Sequence, residues 1–92
     1  MTRVLSVVRD ATTKPETVAE RVRRLQAEAR QAARDHVKAF AVAMVDLQQF
    51  AAEIADGGEA YAPGIREAAR RLAEDLDARV QSVEAISARA ER

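Results

Sequence analysis

The chain has no cysteine and no tryptophan, one histidine, one tyrosine and two phenylalanines, and its 92 residues include only three glycines and two prolines. Without thiols there is no disulfide framework, no thiolate nucleophile and no zinc–thiolate site, and nothing signals an oxidising compartment. Net charge is also missing, since fifteen basic side chains balance fifteen acidic ones. Long apolar runs are absent as well. The stretch Val4 to Val8 is broken by Ser6 and is far too short for a signal-peptide core or a membrane span. A soluble, unprocessed, cytoplasmic chain without membrane contact is the expectation.

What remains is a helix-forming composition. Apolar residues make up 48% of the chain, but 21 of these 44 are alanine, which leaves 23 larger apolar side chains. With 33% charged residues and alanine, arginine, glutamate and leucine prominent, this is the profile of long helices or coiled coil. The length suits one small domain near the lower limit of a self-sufficient core. Arginine outnumbers lysine thirteen to two, which together with the alanine load associates the chain with a GC-rich bacterial genome.

Helix-breaking residues are confined to two places. Thr13 and Glu16 are spaced as a capping box around Pro15, which predicts a helix start. The segment from Asp56 to Gly64 holds all three glycines and the second proline; Gly57 is expected to end one helix in the left-handed conformation, and Pro63 to begin the next. The predicted organisation is an N-terminal arm over residues 1–12, a short helix or flexible, followed by a helical hairpin over 13–92. Its helices run from about 15 to 56 and from about 63 to 91, joined by a turn at 57–62.

Both helices carry an apolar seam at spacings of three and four. In the first, Val18, Val22, Leu25, Val37, Phe40, Met44, Leu47 and Ile54 follow this period, with alanines at 29, 33 and 51 filling the gaps and one extra four-residue step near Ala33; Leu72, Leu76, Val80 and Val83 continue it in the second. At 1.5 Å per residue the first helix would be about 63 Å long and the second about 43 Å, so the second leaves part of the first seam uncovered. The run from Ala39 to Val45 is apolar all round, which calls for neighbours on more than one side. The expected fold is all-α: a long antiparallel helical hairpin that dimerises through these seam residues into an elongated four-helix bundle or coiled coil.

Charge is distributed unevenly behind the zero total. Residues 1–38 hold nine basic and five acidic side chains, and residues 39–92 hold six and ten. An antiparallel dimer that sets each acidic turn near its partner's basic end is therefore expected.

No catalytic, metal or cofactor site is expected. Asp75 and Asp77, with Glu74 before them, read as a solvated helix face, and the serines lack any partner at a motif spacing. Tyr61 and Pro63 in the turn are distinctive enough to form a protein contact at the acidic tip. Arg21, Arg23, Arg24, Arg30 and Arg34 offer a face for nucleic-acid phosphates; Glu20, Glu28 and Asp35 interrupt it, and no aromatics accompany it for base stacking. His36 lies beside Asp35, two residues before Lys38. This short stretch on a hairpin helix resembles the dimerisation and phosphotransfer hairpins of sensor histidine kinases, which implies a four-helix dimer and a phosphorylated histidine at 36. The resemblance covers about five positions, and no ATP-binding domain follows. The leading expectation is a non-enzymatic interaction, scaffold or adaptor module that binds itself and another protein, with a nucleic-acid-binding regulator as the alternative and phosphotransfer behind it.

Overall fold

A computed structural model describes residues 14–91. The expected arm at 1–12 and the expected cap Thr13 lie outside them. Two long helices account for most of the described residues: α1 over Val18–Ala55 and α2 over Pro63–Ala90, with a single 3-10 turn at Gly58–Ala60 between them and no strand among the described residues. The chain divides into two compact units, residues 1–32 and 33–92, with α1 continuing from one into the other.

In the first unit α1 starts at Val18, about one turn later than predicted. The cap is Thr17: its Oγ1 accepts the backbone N–H of Glu20 at 3.0 Å and donates to Glu20 Oε1 at 3.0 Å. The spacing is that of the capping box sought at Thr13 and Glu16, displaced by four residues, with the Glu20 carboxylate accepting from the Thr17 hydroxyl. Glu16 stays outside the helix and folds onto Arg24, whose Nε and Nη2 donate to its two carboxylate oxygens at 2.8 and 3.1 Å. Arg24 Nη1 also reaches Glu28 at 3.2 Å.

In the second unit the C-terminal part of α1 and the whole of α2 form an antiparallel helical hairpin. Gln48 Nε2 donates to Asp77 Oδ1 across it at 3.4 Å, which fixes the register. The packed line is made mainly of small residues. Ala51 is buried and Ala41, Ala52 and Ala55 are half-buried on α1, facing half-buried Ala69 and Ala73 on α2. Alanine lets two helix backbones approach closely and is the best intrinsic helix former. Among the described residues, Met44, Ala51 and Val80 are the buried apolar ones, at 8%, 4% and 7% exposure.

The turn corrects one further expectation. Gly57 is right-handed, with φ −77°; the left-handed residue is Gly58, at φ 77°. Glycine is required at 57 for space instead: a β-carbon there would lie 2.3 Å from the Tyr61 ring and 3.2 Å from the Glu53 carbonyl oxygen. Tyr61 closes the 3-10 turn by donating its N–H to Gly58 O at 3.1 Å, and its own carbonyl accepts Arg66 Nε at 3.2 Å. Pro63 then opens α2 in the first helical position, where its missing N–H has no partner to lose.

Candidate functional site

The predicted seam is divided by the structure. In the second unit Met44 and Val80 are buried and Ile54, Leu76 and Val83 half-buried, whereas Val37, Phe40, Leu47 and Leu72 are exposed. The line of contact on α1 is rotated away from the large apolar residues towards Ala41, Val45, Gln48 and Ala52. The cause is steric: an interface centred on small residues brings the axes close, and bulky side chains one position round the helix are displaced to its flank. Three- and four-residue spacing alone gives all these positions nearly equal standing, so the contact residues Ala41, Gln48 and Ala52 went unmarked. The run of alanines was the only signal for them.

The displaced residues form a site of their own. On α1, Phe40, Leu47 and Phe50 trail the packed line by about a quarter-turn or more; on α2, Ile65, Leu72 and Ile86 do the same. Because the helices run in opposite directions, equal displacements of this sense bring both sets to one side of the hairpin. Phe40 is 54% exposed, Phe50 63% and Ile86 57%, which for such large apolar groups is far from ordinary burial. The opposite side carries Lys38, Gln49 and Asp56 on α1 and Arg70, Glu74 and Gln81 on α2, with Val42 the exception among large residues. At the open end of the hairpin the apolar side widens into a groove of about 420 Å³, lined by Ala33, Val37, Phe40, Val83, Ile86 and Ala90 with Arg34, Lys38, Ser87 and Glu91 at its edge.

In the first unit, Val18, Val22 and Leu25 are all exposed. The proposed arginine face is partly engaged by acids. Arg24 is held by Glu16 and Glu28, Arg21 approaches Glu16 at 3.6 Å, and Arg34, which belongs to the second unit, also has an interaction partner. Arg23 and Arg30 are exposed. The hydrogen bond from Arg24, followed by its charge and a contribution from Arg21, holds the Glu16 carboxyl below the usual glutamate range. Arg24 is correspondingly pushed up, first by Glu16 and then by Glu28.

His36 is exposed on α1. The carboxylates on α2 do not converge on a shared centre: Asp77 accepts Gln48 and Gln81, while Asp75 lies 3.8 Å from Arg79. Glu67 is bonded to both Arg70 and Arg71, and these hydrogen bonds, Arg70's first, lower its pKa. At the turn, Tyr61 is 41% exposed while its ring covers Gly57, so its structural role leaves an edge accessible. Among the described residues, no helix is long and apolar enough to cross a membrane.

The chain thus presents a helical hairpin with one apolar and one polar side. Compared with known proteins, no family profile matches it, and no curated protein or solved structure matches it either.

Proposed function

We propose that this protein is a small non-enzymatic interaction or scaffold module that self-associates through its helical faces and meets a second protein at its turn or charged surface. The observation that carries this reading is the mismatch between what the hairpin buries and what it leaves out. Three apolar residues are buried, while Phe40, Leu47, Phe50, Leu72 and Ile86 remain exposed along one side. Removing apolar surface from water contributes roughly 25 cal/mol per Å², and contiguous apolar surface of this kind marks an interaction site. Tyr61, exposed at a turn that also carries Asp56 and Glu59 and with its own carbonyl accepting Arg66 Nε, is the element offered to a heterologous protein.

The nucleic-acid reading draws less support, because Arg21 and Arg24 already face carboxylates. Phosphotransfer rests on the exposure of His36 and has no second supporting feature. Sedimentation equilibrium across micromolar concentrations at low and high salt tests the proposal. A dimer or larger helical oligomer is expected, and a monomer throughout would overturn it.

A further inference from the structure

The proposed self-association leaves open which surface mates and in which direction. We infer that the apolar side of the hairpin is the docking surface for a second copy of this chain, with α1 of each copy against α2 of the other and both turns at the same end. The inference rests on the self-association proposed above and adds the face and the orientation.

The orientation comes from the charges that flank the apolar side. Its outer edge on α1 holds Asp46 and Glu53, and the nearest cations, Arg34 and Lys38, stand apart at the rim of the groove at the open end. Its outer edge on α2 holds Arg71, Arg79 and Arg89, with Asp75 the only acid there. The Gln48–Asp77 hydrogen bond sets the level of one helix against the other, so Asp46 is level with Arg79, and Glu53 with Arg71 and Leu72.

Two hairpins can place these sides face to face in two symmetric ways. Rotation about an axis along the helices keeps every level and puts the acidic edge of α1 against the basic edge of the partner's α2. Asp46 then meets Arg79 and Glu53 meets Arg71, each pair formed between copies and repeated by the symmetry. Rotation about an axis across the helices lays α1 on α1 and α2 on α2, acid against acid and arginine against arginine. Like charges across an interface are costly and opposite charges set register. The chain-wide imbalance favours turns at opposite ends, but it acts over distances beyond the screening length of about 8 Å at physiological salt, whereas the edge pairs act at contact. The present partners of these arginines are weak surface pairs within one helix, Arg79 with Asp75 at 3.8 Å and Arg71 with Glu67, and exchanging them costs little.

The test uses the full-length chain. Leu47→Glu, on the apolar side, is expected to weaken dimerisation at least about a hundredfold, since burying a charge without a partner is prohibitive; Val42→Glu, on the other side, should leave it unchanged. A dimer indifferent to Leu47→Glu would overturn the assigned face while leaving self-association intact. Asp46→Arg should weaken the dimer roughly tenfold, and adding Arg79→Asp in the same chain should restore it. Since the chain has no cysteine, disulfides report contacts between copies directly. Mixed Asp46→Cys and Arg79→Cys chains should cross-link to each other, and self-linking of Asp46→Cys would establish the opposite orientation. A monomeric wild type that dimerises on Leu5→Ser with Val7→Ser would show the face covered by its own N-terminal segment and overturn the inference.

Discussion

The ring of Tyr61 lies directly over Gly57, where an added β-carbon would stand 2.3 Å from Cε2 and 2.5 Å from Cδ2. Gly57→Ala therefore forces the ring off the turn and should destabilise the hairpin by about 1–3 kcal/mol. In a Tyr61→Ala background the same substitution should cost only a few tenths of a kcal/mol, because the Glu53 carbonyl contact is all that remains. Thermal unfolding of the two single variants and the double variant gives the coupling. Additive costs would show that the ring does not enforce glycine here.

The capping box at Thr17 makes a local prediction. Thr17→Ala removes the acceptor of the Glu20 N–H and should cost about 1 kcal/mol at the start of α1. Amide hydrogen exchange should accelerate at Val18 to Glu20 and leave the hairpin beyond Ala33 untouched. Thr13→Ala should have no such effect on these amides.

Acid should act first where carboxylates are held ionised by arginine. Glu16 is lowered by Arg24, and Glu67 by Arg70 and Arg71. For a carboxyl lowered in the folded state, the stabilising contribution is present above the ordinary glutamate value and is lost as pH falls through the folded value. Carboxyl carbon NMR titration should find Glu16 and Glu67 protonating below the ordinary glutamate value. Both groups are exposed, so the gap should shrink in high salt.

Within the hairpin, packing should outweigh the cross-helix hydrogen bond. Val80→Ala removes one of three buried apolar side chains and should cost about 2 kcal/mol. Asp77→Ala loses an exposed 3.4 Å contact to Gln48 and should cost less than about 1 kcal/mol. Urea unfolding of both variants ranks them, and the reverse order would relocate the register of the hairpin to its polar pair.

The two long helices and the turn between them were legible in the sequence, because the glycines and prolines are few and the apolar spacing in between is unbroken. The start of α1 was misplaced because Thr13 and Thr17 both stand three residues before a glutamate, and spacing alone does not choose between them. The side of α1 that meets α2 was marked only in part, by Met44, Ala51 and Ile54, for a similar reason. Large apolar residues mark what is hydrophobic, but backbone proximity is granted by small ones, and an alanine reads equally as helix former or as contact. The turn had the right glycines with their roles exchanged: one supplies the positive φ and the other the absence of a side chain, and a sequence writes both as the same residue. Tyr61 was expected either to pack over the helix ends or to contact a partner, and the fold places its ring on Gly57.

A hairpin with three buried apolar residues has little to make its parts melt together. Helices of this kind held mostly by local hydrogen bonds lose structure by fraying from their ends, residue by residue, as a helix–coil polymer does. All-or-none unfolding requires surfaces that are lost at once. In a lone copy the transition should be broad, and it should narrow where the proposed second copy covers the apolar side.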